Sequence, residues 1–247
     1  MTFKDHFSTQ SATYAAARPH YPDALFAWLA GLPAQRECAW DAGCGSGQAA
    51  VALAAHFRRV VATDPSVGQI AHAERNGRVE YRVEPAESPT LADASVDLVT
   101  VAQALHWFEI GRFHEQARRV LRPDGAIAQW CYGLSRVAPA IDAVFMRLYE
   151  DLLAPYWPPE RRHIESGYRE LAFPFAAVVV PELAIEAHWT LPHYLDYLRS
   201  WSATQRYRDA CGEDPVAQIA DAMGAAWGDP DTRRIVRWPL TIRAGRP

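Results

Sequence analysis

Lysine is almost missing from this 247-residue chain: Lys4 is its only one, and arginine carries the remaining positive charge. No run of five basic residues occurs; the longest clusters are pairs such as Arg161-Arg162 and Arg233-Arg234. With 25 basic against 29 acidic residues the formal charge is −4. A nucleic-acid partner would need a basic footprint that this chain lacks. Cysteine is scarce too: Cys38, Cys44, Cys131 and Cys211 are the four, and no two stand at CxxC spacing. That argues against a zinc site or a redox pair, and no metal is expected. The opening MTFKDHFSTQ has neither the basic nor the apolar region of a signal peptide. No stretch reaches the roughly 18 apolar residues of a membrane-spanning helix. The expectation is a cytoplasmic protein with free thiols and no membrane partner. Its oligomeric state is not legible.

What is present is ordinary for a globular chain: 49% hydrophobic and 22% charged residues. The length suits one α/β domain, or one carrying an insertion. YPDALFAWLAGLP predicts a helix with Pro22 near its first turn and Gly31 and Pro33 at its end. ECAWDAG, RRVVATD, RVEYRVE, VDLVTVAQAL and GAIAQWCYG read as strands. GQAAVALAAHF, SVGQIAHAER and EIGRFHEQARRVL read as helices between them, the last stopped by a turn at RPDG. Strands alternating with helices over residues 37–133 imply a parallel sheet covered on both faces. Ligands of such sheets bind beyond the carboxyl ends of the strands. Gly43, Asp64, the residues 84–87 and 103–107 all follow predicted strand ends, so they should converge on one cleft. After Gly133 the pattern loosens. PAIDAVFMRLYEDLL, LPHYLDYLRSWSATQRY and DPVAQIADAMGAAWG predict helices, LAIEAHWT a strand, and residues 154–175 a long loop. RRIVRWPLTIRAGRP predicts a last strand, with Pro239 at an edge or a bulge.

Residues 40–50, WDAGCGSGQAA, put Gly43, Gly45 and Gly47 after a strand. A bare turn, a dinucleotide site, a nucleoside triphosphate site and an S-adenosylmethionine site all use such glycines. The GxxxxGK[ST] phosphate loop is excluded, since no lysine follows. The spacing G-x-G-x-G puts Gln48 where the dinucleotide fingerprint has its close-packing Gly or Ala. Asp41, two residues before the first glycine, would repel a pyrophosphate and favour the ammonium and sulfonium of S-adenosylmethionine. Asp64 follows the last glycine by 17 residues. At a strand end its carboxylate can accept both ribose hydroxyls, though DPS also reads as a helix cap. Pro65 and Ser66 then pass the adenine edge.

WDAGCGSGQ, VVATDPS, VEPAESPTLADASVDLVTVAQALHWF and RRVLRPDGAIAQW resemble successive motifs of the class I S-adenosylmethionine-dependent methyltransferases. The resemblance covers at least residues 37–132. YAAARPHYP, AQALHWF, LRSWSATQRY and WPLTIRAGR are similar to the trans-aconitate methyltransferase-like group. The resemblance implies an α/β, Rossmann-like class I fold: a mostly parallel seven-stranded sheet, helices on both faces, and a C-terminal helical cap insertion. It implies one domain over 1–247, in which 1–36 cover the cofactor, 37–133 bind it, and 134–247 complete the sheet and cap the acceptor. Gly43, Gly45 and Gly47 resemble the turn under the methionine moiety, with Asp41 opposing its charge. Asp64 resembles the ribose acid; Ala86 and Glu87 match the A-E near the adenine amino group, where Pro85 replaces the frequent Asp. Gln103 matches a polar residue near the methionine end. Tyr14 and Arg18 resemble residues that fold over the cofactor.

The implied reaction moves a methyl group from S-adenosylmethionine to a small-molecule acceptor, with a carboxylate oxygen favoured by the resemblance alone. His106 and Trp107 follow the fourth strand and are the catalytic candidates, His106 as a base and Trp107 also as an acceptor contact. Tyr194, Tyr197 and Trp201 fall on one face of a predicted helix and would roof the acceptor, with Ser202 and Arg206 as polar contacts. Arg161, Arg162 and Arg169 could recruit an acidic acceptor. The alternatives are an NAD-type oxidoreductase, disfavoured by Asp41 and the glycine spacing, and a non-catalytic S-adenosylmethionine-binding protein.

Overall fold

The computed structural model describes residues 19–247. Five parallel strands come first: β1 (Cys38–Ala42), β2 (Arg59–Asp64), β3 (Val79–Val83), β4 (Val96–Ala102) and β5 (Leu121–Tyr132). Three antiparallel strands complete the sheet: β6 (Ala176–Ala177), β7 (Ala184–Trp189) and β8 (Arg234–Arg246). The spatial order is β3-β2-β1-β4-β5-β8-β6, with β7 paired to β8 as an eighth strand. The strand order reverses between β1 and β4, so the chain leaves these two neighbours toward opposite sides. This is the Rossmann-like fold that the sequence implies, with one more strand than the seven expected. Among the described residues no helix is long and apolar enough to cross a membrane.

Alternation along the central strands sends one set of side chains to each face. Ala39, Val60, Ala62, Leu98, Ala128 and Trp130 meet helices α1 (Asp23–Ala30) and α2 (Gln48–Leu53). Trp40, Ala42, Val61, Val99 and Ile127 meet α4 (Ile110–Val120) on the other face. Phe113, Ala117 and Val120 are buried there at helical spacing. Between these helices α3 (Val67–Ala71) starts at Ser66, whose hydroxyl accepts from the Gln69 N–H. A third cluster, built by residues after Gly133, packs α5 (Pro139–Met146), α7 (Leu191–Arg199) and α9 (Ala220–Trp227) with β7 and the first half of β8. It forms a cap over one end of the sheet.

Four local expectations change. The long helix predicted through residue 207 is two helices, α7 and α8 (Ser202–Cys211). Hydroxyls break it: Ser200 Oγ donates to the Tyr197 carbonyl at 2.6 Å and Thr204 Oγ1 to the Leu198 carbonyl at 2.8 Å. They take carbonyls that a continuous helix would bond through backbone amides. Trp201 is extended there (φ −72°, ψ 141°). The predicted loop at 154–175 contains α6 (Arg161–Glu165). RPDG is not a turn outside the sheet but an irregularity inside β5, where the register with β4 passes from Val96↔Leu121 to Leu98↔Ala126. Pro239 lies at neither a free edge nor a bulge. It forms the last β7 pair, Ala184↔Pro239, and the β5 pairing starts at Leu240. The donor that proline lacks is thus missing where β8 changes partner.

Asp97 fixes where β1 begins. Its Oδ2 accepts from the Glu37 and Cys38 amides, both at 2.8 Å, and its Oδ1 from Arg122 at 2.6 Å. Removing a buried carboxylate strands all three donors. Asp97→Ala is expected to cost roughly 3–5 kcal/mol. Urea unfolding at pH 7 checks this; an unchanged midpoint would count against the role.

Candidate cofactor and acceptor site

The glycine turn joins β1 to α2 and is tied to the end of β2. Gly43 and Cys44 donate their amides to the Thr63 carbonyl at 2.8 and 3.0 Å. Gly45 donates to Asp64 Oδ2 at 2.9 Å, and Ser66 donates to Asp64 Oδ1 at 2.8 Å. One carboxylate therefore clamps two loops, while Ser66 rather than Asp64 caps α3. Each oxygen keeps further lone-pair capacity, so the clamp and a ribose contact are compatible. Pro65 is half-buried between them.

All three glycines have positive φ: 68°, 53° and 87° for Gly43, Gly45 and Gly47. A Cβ on Gly43 would lie 2.7 Å from the Ala104 Cβ and 2.9 Å from Phe108, and one on Gly47 would run into the Tyr81 phenol. Only Gly45 opens onto space, its nearest neighbour being Gln69 Oε1 at 3.8 Å. This is a cradle on which a ligand can lie against the backbone.

Asp41 is fully buried beneath the turn. Its Oδ1 accepts from Thr100 Oγ1 at 2.8 Å, and among the described residues its Oδ2 has no hydrogen-bond partner. Burial, aided by nearby Asp64, pushes its pKa up to about 7 against the pull of Thr100. Without a ligand it is thus a partial charge, weaker than the sequence argument against pyrophosphate assumed. An orphaned buried carboxylate oxygen next to a glycine cradle suits a ligand that brings positive charge. The residues present therefore fit S-adenosylmethionine. Burial also drives the Cys44 thiol well above its usual range, so it is no nucleophile.

The adenine-side candidates are less open than expected. Ala86 is buried, and Glu87 Oε1 accepts from the Glu109 amide at 2.8 Å. Glu109 in turn caps α4 through the Arg112 amide at 3.1 Å. Glu87 thus has one oxygen committed to holding this loop. Tyr14 and Arg18 lie outside the described residues.

Gln103 ends β4 in a left-handed conformation, φ 54°. Its side chain extends the ladder to β5: Oε1 accepts from the Tyr132 amide at 2.8 Å and Nε2 donates to the Tyr132 carbonyl at 3.1 Å. The chain then turns through residues 104–108. His106 is half-buried with Nδ1 3.1 Å from the Tyr168 hydroxyl. Trp107 stands beside it, ring centroids 4.7 Å apart, and is 37% exposed. Tyr168, which sequence reasoning missed, is fully buried and also left-handed, φ 60°.

Past the ends of β4 and β5 a cavity of about 60 Å³ is lined by Gln103, Tyr132, Gly133, Trp157, Arg161, Tyr197, Trp201 and Ser202. By volume it would take about four waters, or a small planar group. It unites Gln103, expected at the methionine end, with three of the expected acceptor contacts, Tyr197, Trp201 and Ser202. Three others, Trp107, Tyr194 and Arg206, do not line it. Tyr194 is fully buried in the cap, its hydroxyl 2.9 Å from Ser135 Oγ. Arg206 donates to the Tyr156 carbonyl at 3.2 Å. The break between α7 and α8 bears on Arg206, which lies beyond it; Tyr194 precedes it, on the same helix as Tyr197. Trp157 was missed. It precedes α6, with Pro158 and Pro159 between, so no helical period pointed to it; the Arg161 guanidinium stacks 4.7 Å from its ring.

Asp41 gives a pH prediction. Its folded pKa of about 7 exceeds the unfolded 3.8, so the folded state holds the proton longer. Stability contributed below pH 4 is lost as pH rises toward 7. Asp41→Asn cannot titrate. From pH 5 to pH 8, the stability difference should move in the variant's favour by about 3 kcal/mol. Urea unfolding of the ligand-free proteins at both pH values measures it; a pH-independent difference would reject the buried titration.

Known proteins give the context. The model of a methyltransferase domain family matches residues 40–128. A Dictyostelium discoideum protein named as a methyltransferase is 35% identical over 93% of this chain and 89% of its own length. A Saccharomyces cerevisiae protein named as an S-adenosylmethionine-dependent methyltransferase is 31% identical over 50% of this chain, which spans 45% of it. Among solved structures, one named as a type II methyltransferase from Anaeromyxobacter dehalogenans is 52% identical with a TM-score of 0.88. It covers 93% of this chain and 97% of its own.

Proposed function

Since the chain belongs to the class I S-adenosylmethionine-dependent methyltransferases, we propose that it methylates a small-molecule acceptor at an oxygen, with a carboxylate as the favoured nucleophile. The observation carrying this reading is the aromatic cavity at the ends of β4 and β5, bounded by Gln103, Trp201 and Ser202. Its size suits part of a small molecule. The subgroup resemblance, to trans-aconitate methyltransferase-like proteins, points the same way.

The cofactor, when bound, supplies a methyl carbon activated by positive sulfur. The residues have to hold and orient the two reactants and exclude water. Gly45 leaves the backbone open to the cofactor, Asp64 is assigned its ribose, and Asp41 its positive end. Glu87 and Ala86 border the adenine in this reading, and Gln103 separates cofactor from acceptor. Proximity and orientation alone are worth roughly 7–11 kcal/mol. A carboxylate is ionised at neutral pH and needs no general base. The Nδ1 of His106 faces the Tyr168 hydroxyl at 3.1 Å, and this reading asks no proton transfer of its Nε2. His106 and Trp107 then shape the transfer region and move no proton.

Two measurements test the reading. With labelled S-adenosylmethionine and a panel of carboxylic acids, phenols and amines, label should appear in ester product from the acids. Label only in amines or phenols would replace the oxygen–carboxylate assignment, and His106→Gln should then abolish a histidine limb in the pH–rate profile. On acids, the same variant should lower kcat less than about tenfold. Asp64→Asn should weaken S-adenosylhomocysteine binding by roughly 1–3 kcal/mol in calorimetry; equal affinity would confine Asp64 to the loop clamp.

A further inference from the structure

The cavity holds a cation that the methyl-transfer reaction itself does not need. Arg161 opens α6 and lines the cavity. Its guanidinium lies 4.7 Å from the Trp157 ring centroid and 5.5 Å from that of Tyr149. Its Nε donates to the Tyr149 hydroxyl at 3.1 Å, and that hydroxyl is also bonded to Glu165. Stacking and the single Nε bond fix the plane of the group. Among the described residues no carboxylate pairs with Arg161 within 4.0 Å, and its two terminal nitrogens make no hydrogen bond. By contrast Arg122, Arg199 and Arg208, each about one-third exposed, all have carboxylate partners. A half-buried, preoriented guanidinium with its terminal edge unused is a receptor for a planar anion.

We propose that Arg161 is a specificity-determining residue that anchors an anionic group of the acceptor distinct from the oxygen that is methylated. This rests on the methyltransfer reading above and adds a second chemical requirement to it. The separation follows from chemistry. A carboxylate held by two charge-assisted hydrogen bonds has its lone pairs engaged and is a poor nucleophile. It would therefore bind without reacting. The reacting oxygen is a second group, placed toward Gln103 and the glycine turn. Trp157, Trp201 and Tyr197 enclose the link between them, and Ser202 adds a hydroxyl beside the anion. The acceptor class is a small molecule with an anchoring carboxylate and a separate oxygen nucleophile.

Binding and turnover test this independently. Ligand-observed NMR would follow succinate, with succinamide as the uncharged control, against the protein with and without S-adenosylhomocysteine. Succinate should bind saturably and succinamide should not. Arg161→Gln should weaken succinate roughly 10- to 100-fold, with Arg161→Lys between the two, and S-adenosylhomocysteine affinity by calorimetry unchanged. Equal binding of succinate and succinamide, no saturable succinate binding, or succinate binding indifferent to Arg161→Gln would each overturn the anchor. In turnover on any acid the enzyme methylates, Arg161→Gln should raise KM and leave kcat within about threefold. A fall in kcat with unchanged KM would overturn it too. Loss of S-adenosylhomocysteine binding in the wild type would instead reject the methyltransfer reading, whatever succinate does. Matching melting temperatures, or the lysine variant if the glutamine variant melts early, separate anchoring from folding.

Discussion

The pairing of Gln103 with Tyr132 joins the two halves of the site. β4 ends in a non-glycine residue with φ 54°, a conformation that costs of order 1–3 kcal/mol. The cost is offset by three hydrogen bonds: the Gln103 amide to the Trp130 carbonyl at 2.9 Å, and both side-chain bonds to Tyr132. The bend sends the chain back across β1, so that Ala104 and Phe108 pack against Gly43. The same side chain forms a wall of the acceptor cavity. One residue thus sets the floor under the cofactor turn and the near side of the acceptor space.

Around that bend, two kinds of chemistry divide the site. On the proposed cofactor side the available groups are backbone amides, glycines and the carboxylates Asp41 and Asp64. They are short-range and lie at strand ends, where a parallel sheet with diverging β1 and β4 leaves a crevice. On the acceptor side the contacts are rings. Trp157, Trp201 and Tyr149 pack edge and face against one another at 5.0–6.2 Å, within the range where aromatic pairs add to burial. Such walls give shape without charge, and among the described residues lining the cavity Arg161 carries the charge. The cap that carries them has its own core of Phe145, Leu148, Tyr194, Trp227 and Trp238, all buried.

Much of the cofactor side was legible in the chain because its signals are local. Alternation of apolar strands with helices, the glycines after β1, and Asp64 at the end of β2 are each read within a dozen residues. What locality did not show is that Asp64 and Glu87 also hold loops: their carboxylates bond amides of Gly45, Ser66 and Glu109, up to 22 residues away. The acceptor side was much less legible. Tyr194 and Trp201 share a helical face only if the helix continues, and two hydroxyls bonding carbonyls in the same turn interrupt it. Arg206 was chosen by that same unbroken face.

By itself the sequence determined the layered α/β sheet, its switch point and the class of cofactor, because hydrophobic period, glycine spacing and acid positions are properties of neighbouring residues. Only the tertiary structure decided the acceptor cavity. Its walls come from β4, β5, α6 and the α7–α8 break, segments up to about 100 residues apart. Their meeting is set by packing of the cap on the sheet, and no local period encodes it. Arg161 shows the difference: in the chain it is one of two adjacent arginines in a Pro-rich stretch. In the fold, Trp157 and Tyr149 hold it at a cavity that no carboxylate lines among the described residues.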